Sequence, residues 1–175
     1  MTRNALLDAA ECVLFEDGTQ ALTLASVAER AGVSKGGLLY HFPTKEALLT
    51  GLIERVIAEF DALVARHDDG TPGSYTRAYV EATFEILTDG ENAGSRRRWS
   101  AITAAATGPE LGAPLNAAMT RWHRRDPAED PDPLAALVVR LAAEGLWEVL
   151  SHDPDLLDAD GCRALKQRLL SMLDS

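Results

Sequence analysis

Apolar residues recur at helical spacing along most of the chain. Leu6, Leu7, Ala10, Val13 and Leu14 mark a first helix over about 5–15, and Gly18 follows where it would end. Thr23 is placed to cap a second, short helix carrying Leu24, Val27, Ala28 and Ala31, and Gly32 permits a sharp turn after it. Ser34 is placed to cap a brief third. Pro43 disfavours a helical residue before it, and Thr44 can cap a long run through Leu48, Leu52 and Val56 to about Arg66. HDDGTPGS is loop chemistry, and Ser74 opens a helix that should end near Asp89 and Gly90. Four more helices are predicted over about 92–107, 109–125, 133–151 and 158–173, with breaks at Gly108-Pro109, RRDPAEDPDP and HDPDLLD. No segment alternates as a half-buried strand does, so the predicted fold is all-α, with about nine helices.

The stretch VSKGGLLYHFPTKEAL, residues 33 to 48, carries the chemistry. A helix, a turn at Gly32 and a second helix of about seven residues is the helix-turn-helix arrangement, whose second helix enters a DNA major groove by its N-terminal residues. Those residues are Lys35, Gly36 and Gly37. Two glycines near a helix start cost roughly 1 kcal/mol each in propensity, so stability gives no reason for them, whereas close approach of the backbone to another surface does. Lys35 can reach a guanine edge or a phosphate, and Tyr40 and His41 can hydrogen-bond phosphate oxygens. Lys45 opposes the dipole of the long helix, a mismatch that a nearby phosphate would relieve. Leu38 and Phe42 read as core.

Charge changes the picture. Lys and Arg total 17 against 27 Asp and Glu, a net charge of -10, and an acidic chain is an unusual partner for phosphates. The first 50 residues, however, are nearly balanced: Arg3, Arg30, Lys35 and Lys45 stand against Asp8, Glu11, Glu16, Asp17, Glu29 and Glu46. Most of the acidic excess lies further along, where a Debye length of about 8 Å screens it from a contacting face. Weak non-specific DNA binding is the expected consequence.

The run LLDAAECVLFEDGTQALTLASVAERAGVSKGGLLYHFPTKEALL, residues 6 to 49, resembles the DNA-binding domain of tetracycline-repressor-type (TetR family) transcriptional regulators. The AA pair, Gly18, Thr23, VAERAGVS, the following Lys-Gly, Tyr-His-Phe and Thr-Lys-Glu carry the resemblance, over about a quarter of the chain. It implies an N-terminal three-helix helix-turn-helix domain (1–46) and a C-terminal helical domain for effector binding and dimerisation (47–175). It further implies a homodimer on double-stranded operator DNA, a small-molecule effector that releases it, and repression rather than activation. Carried across by position, Lys35, Gly36 and Gly37 would face base edges, while Thr23, Ser34, Tyr40, His41 and Lys45 would hold phosphates. Gly37 stands where many members carry a base-touching side chain, so direct readout would rest chiefly on Lys35.

Beyond residue 50 only physics speaks. In LAALVVRLAAEGLWEVL, residues 134 to 150, Arg140, Glu144 and Glu148 form one narrow stripe and every other face is apolar, so the helix should be buried on two sides. Leu137, Leu141 and Gly145, with Leu165 and Leu169 of the last helix, are the predicted dimer interface. Tyr79, Trp99, Met119, Trp122 and His123 are the predicted ligand pocket, because aromatic and soft side chains line such sites as well as cores. Arg96, Arg97 and Arg98 read as a solvated face, with pairing to the N-terminal domain or to an anionic ligand as the alternative.

The remaining expectations are negative. Cys12 and Cys162 belong to no ligand spacing, so no metal or cofactor is expected. Scattered histidines and the lack of a nucleophile or phosphate-loop motif argue against an enzyme. No apolar run approaches the roughly 20 residues that span a bilayer, so a cytoplasmic protein without membrane partners is expected. The competing reading, favoured by the acidity, is a ligand-binding or interaction protein of this fold without DNA binding.

Overall fold

The computed structural model describes residues 2–88, 93–105, 108–153 and 155–174, with residues 93–95 and 109 described by backbone course alone. Among the described residues it holds nine α-helices and no strand: α1 (Arg3–Glu16), α2 (Leu24–Arg30), α3 (Lys35–His41), α4 (Lys45–His67), α5 (Ser74–Thr88), α6 (Ala93–Ala105), α7 (Pro109–His123), α8 (Pro133–His152) and α9 (Ala159–Ser171). A short 3-10 turn, Pro127–Glu129, lies in the loop before α8. The predicted stop at Asp89 and Gly90 lies outside the described residues. Two compact units form: Met1–Ile57 with Arg98–Ala117, and Ala58–Arg97 with Ala118–Ser175. The chain passes from one to the other within α4, α6 and α7. All of residues 1–46 fall in the first unit.

In the first unit, Leu6, Leu7, Ala10, Val13 and Leu14 of α1 are buried, as are Val27 and Ala28 of α2 and Leu38 of α3. The periodicity that predicts each helix is thus also its inward face. Phe42 is 1% exposed, and the Arg3 guanidinium lies 5.2 Å from its ring centroid. Ionic contacts tie α6 and α4 to α1: the Arg98 Nε and Nη2 donate to Glu11 at 2.6 and 2.8 Å, and Arg55 reaches Asp8 at 2.6 Å. Of the three-arginine run, Arg98 therefore takes the paired role and Arg97 stays exposed.

Gly51 is where α4 runs closest to its neighbours. A Cβ there would meet Phe42 Cε1 at 2.9 Å, Arg3 Nη2 at 3.1 Å and Leu7 Cδ2 at 3.3 Å. Alanine improves helix propensity by about 1 kcal/mol but must push a packed ring aside, at about 1–3 kcal/mol. Gly51→Ala is expected to lower stability by about 1 kcal/mol, measured by urea unfolding; a stabilised variant would show that Phe42 yields freely.

In the second unit α5 is central. Ala78, Tyr79, Val80, Ala82, Thr83, Phe84, Ile86 and Leu87 are all buried, and the helix packs on both α8 and α9. Val80, Phe84, Leu87, Val139, Leu146, Leu150, Cys162 and Leu169 form one core cluster. The loop before α8 closes the unit through aspartates. Asp132 caps α8 by accepting from the Leu134 and Ala135 N–H groups at 3.1 and 3.0 Å, and Asp130 binds inward to Thr76 and Arg140.

Candidate functional site

The helix-turn-helix is built from caps outward. Thr23 Oγ1 accepts from the Ser26 N–H at 3.0 Å, and Ser26 Oγ accepts in return from the Thr23 N–H at 3.0 Å, a reciprocal box that starts α2. Gly32, at φ 66°, makes the turn, with its N–H on the Glu29 carbonyl at 3.0 Å and that of Val33 on Ala28 at 3.0 Å. Ser34 Oγ then accepts from the Gly37 N–H at 3.1 Å and starts α3. With Leu38 and Phe42 turned inward, the opposite face of α3 must look out.

That face carries Lys35, Gly36, Gly37 and Tyr40, all exposed, with Thr23 and Ser34 exposed beside it and His41 and Lys45 half-buried. Tyr40 is 86% exposed, its ring edge-on to His41 with centroids 5.1 Å apart. An aromatic left this bare contributes nothing to the core. The glycines tell the same story. Neither has a positive φ, and a Cβ at Gly36 or Gly37 would meet nothing closer than Ser34 Oγ, at 4.0 and 3.4 Å. The fold itself leaves room for a side chain at both positions. Thr44 Oγ1 accepts from the Ala47 N–H at 3.1 Å and sets Lys45 in the first turn of α4. Glu46 shares that turn, its carboxyl held below the usual range chiefly by its own backbone N–H.

The predicted pocket residues divide between the units. Trp99 is buried in the first; Tyr79, Met119, Trp122 and His123 belong to the second. There the rings form a continuous array: Phe60 lies 5.2 Å from Tyr79 and 4.7 Å from Trp122, and Tyr79 lies 5.6 Å from His123. The Trp122 Nε1 donates to Asp61 at 2.7 Å, and the Tyr75 hydroxyl to the Trp122 carbonyl at 3.2 Å. Met119 is half-buried.

Glu144 borders this array, a residue that the sequence reading missed. Its carboxylate accepts from the Tyr79 hydroxyl and lies 3.4 Å from His123 Nε2. Burial pushes the Glu144 carboxyl up to about 7, and burial, then the Arg140 charge, pushes His123 down. Arg140 and Glu144 of the charge stripe on α8 therefore point into their own unit, whereas Glu148 is exposed. Arg140 is 4% exposed, and its Nη1 donates to Thr76 Oγ1 at 2.5 Å and to Asp130 Oδ2 at 3.2 Å. The only sequence signal was that Arg140 and Glu144 share a face with the small residues Ala136 and Ala143, which lets neighbours come close.

With Arg140 and Glu144 turned inward, α8 leaves apolar side chains outward: Leu134 is 71%, Leu137 39%, Val138 44%, Leu141 55% and Val149 43% exposed. Gly145 lies on the same outer face. Of the predicted dimer residues in α9, Leu169 is instead part of the unit's own core and Leu165 packs against that core. The periodicity of α9 reports one inward stripe, and a single apolar stripe is satisfied by its own domain.

The chain thus combines a capped helix-turn-helix with a bare outer face and a second, all-helical unit. The model for bacterial regulatory proteins of the tetR family matches residues 6–52, and that for the tetracyclin repressor-like C-terminal domain matches residues 73–174. The chain belongs to the TetR family of transcriptional regulators. The HTH-type transcriptional regulator RutR of Escherichia coli (strain K12) is 34% identical over 88 residues, which is 50% of this chain and 42% of that regulator. The chain thus spans less than half the length of that relative in the match. The structure of the SmeT-triclosan complex aligns over 98% of this chain and 90% of its own, with TM-score 0.70 at 21% identity. Multidrug binding protein EbrR complexed with malachite green aligns over 97% and 96%, with TM-score 0.70 at 22% identity. At such identities the likeness is one of fold. Family membership places the chain among regulators and not enzymes. Among the described residues no helix is long and apolar enough to cross a membrane.

Proposed function

We propose that the protein is a ligand-responsive repressor that binds a palindromic operator as a homodimer through residues 1–46. Residues 47–175 bind the effector and hold the dimer. The observation that carries the DNA reading is the face of α3, where Gly36 and Gly37 lack any internal reason and Tyr40 is 86% exposed. Lys35, Gly36 and Gly37 approach base edges, while Thr23, Ser34, Tyr40, His41 and Lys45 contact phosphates. The outer face of α8, with Leu137, Leu141 and Gly145, supports dimerisation, because a soluble protein rarely leaves so contiguous an apolar stripe in water. A second reading, a ligand-binding protein without DNA binding, is favoured by the net charge of -10.

Release follows from α4. It begins at Lys45 in the first unit and carries Phe60 and Asp61 in the second, so one helix belongs to both. Two recognition helices must sit about 34–36 Å apart to enter successive major grooves, so a tilt of α4 in each subunit spoils simultaneous contact. A ligand that lowers DNA affinity about 100-fold must prefer the tilted state by about 2.7 kcal/mol, and operator must weaken ligand binding equally.

The test is retardation of the protein's own upstream DNA, repeated with two variants. Lys35→Ala is expected to cost about 1–3 kcal/mol at particular bases, whereas Lys45→Ala should weaken all sequences alike and reduce the salt slope by about 1. Uniform weakening by Lys35→Ala would remove the base-contact role. No retained DNA at low salt, or sites without a dyad, would favour the second reading.

A further inference from the structure

The exposed face of α3 is poor in groups that can read a base. Major-groove edges are told apart by Arg or Lys on guanine, by Asn or Gln on adenine, by Asp or Glu on cytosine, and by apolar contact with the thymine methyl. Residues 23–45 contain no Asn, Gln or Asp. Their one arginine, Arg30, is held by Glu16 and Asp17 at 2.7 and 3.2 Å, and Glu29 lies at the C-terminal end of α2, beside the turn. The hydroxyls at the two helix starts are engaged locally: Thr23 Oγ1 donates to Ser26 Oγ at 3.0 Å, and Ser34 Oγ accepts from the Gly37 N–H at 3.1 Å. On the regulator reading Tyr40 and His41, at the C-terminal end of α3, contact phosphates. Lys35 alone is left for a base edge.

What the rest of this face offers is apolar and bare. Gly36 and Gly37 follow Lys35 directly, are exposed, and present Cα hydrogens where side chains would stand. Neither has a positive φ, and a Cβ would come no nearer to Ser34 Oγ than 4.0 and 3.4 Å. Two adjacent glycines weaken a short helix, and no contact inside the unit requires them. Such a surface has no side chain with which to distinguish an adenine, a cytosine or a second guanine. It can distinguish thymine, whose C5 methyl is the apolar group that stands in the major groove. A methyl packs against helix backbone only where no Cβ intervenes, and both positions meet that condition.

We propose that α3 reads each operator half-site through one guanine, at Lys35, and through thymine methyl groups packed against the backbone of Gly36 and Gly37. The two glycines are then specificity-determining residues that act by having no side chain. The inference rests on the reading of α3 as the recognition helix, and it names the class of DNA that helix takes: a dyad whose half-sites share a single G·C pair beside A·T pairs. The Lys35 ammonium donates to the guanine O6 and N7, and the methyls leave water on the glycine ridge next to it.

The experiment selects bound sequences from a pool of random duplex DNA with the intact protein. Retardation of the selected duplex is then measured with deoxyuridine in place of thymidine, a change that removes the methyl alone. The selected half-sites should hold one invariant G·C pair flanked by A·T pairs. Each methyl removed beside that pair should lower affinity about fourfold, the loss expected for one buried methyl group, whereas deoxyuridine outside the half-sites should have no effect. Gly36→Ala and Gly37→Ala supply the second arm, and thermal melting at or above that of the wild type reports that each is folded. A variant whose Cβ meets the methyl should bind the uracil duplex as well as the thymine duplex or better, so in at least one of the two the thymine preference disappears or reverses. An unaltered thymine preference in both variants, no effect of uracil on the wild type, or half-sites built on several G·C pairs overturns the proposal. Enrichment of no sequence removes the recognition-helix reading itself and this proposal with it, whereas an enriched dyad of the wrong composition removes the proposal alone.

Discussion

Replacing Arg140 by methionine is expected to destabilise the protein by about 3–5 kcal/mol, because it strands a buried carboxylate. The Arg140 and Asp130 side chains are 5% and 7% exposed, and Thr76, fully buried, completes the triad. The loss arises less from the attraction between the pair than from leaving a largely buried Asp130 without a counter-charge. Two comparisons separate these contributions. Arg140→Met alone should lower the melting temperature by roughly 10 °C, at about 2–4 °C per kcal/mol for a chain of this size. Combined with Asp130→Leu, it should recover most of the loss, since apolar replacement of both members of a buried pair is often neutral. Urea unfolding of the two single variants and the double variant closes the cycle. A loss below about 1 kcal/mol in Arg140→Met would mean that Asp130 is solvated in the folded protein after all.

Stability should also fall as pH rises through the range where most proteins hold steady, and Glu144 is the reason. Burial moves its carboxyl from 4.5 to about 7. The folded state therefore holds that proton more tightly than the unfolded chain does. Its contribution is fully present below pH 4.5, declines as pH rises and is lost above about 7, a change of about 3 kcal/mol for this group at 1.36 kcal/mol per unit. Glu85, held low chiefly by Arg66, works in the opposite sense, with stability present above its unfolded value and lost in acid. Because Glu85 is common to both proteins, the readout is the difference between wild type and Glu144→Gln. The variant should gain about 3 kcal/mol on the wild type between pH 4.5 and 8, measured by denaturant titrations across that range. Parallel curves would show that the carboxyl is already ionised in the fold.

The helices and the α3 face were legible because the physics behind them is local. Thr23, Ser34 and Thr44 cap within three residues, Gly32 turns on its own φ, and Leu38 and Phe42 lie on one side of a short helix whichever way it packs. Once those two point inward, Lys35, Gly36, Gly37 and Tyr40 have to point outward. The second unit obeyed no such rule. Arg140 and Glu144 carry charge, and a stripe of charge on an amphipathic helix ordinarily faces water. Here it faces Thr76, Tyr79, His123 and Asp130, which come from three other segments of the chain.

The sequence by itself therefore determined which segments are helical, how α2 and α3 are capped and which side of α3 faces outward. Only the tertiary structure decided the orientation of α8, the inward turn of Leu169 and the position of Glu144 beside the rings. A helix pattern records that two faces differ, but which face is inside depends on partners far away in sequence. Asp130 sits ten residues before Arg140 and Thr76 sixty-four before it. Their pairing repays the burial of a charge, and that repayment leaves the apolar face of α8 outermost.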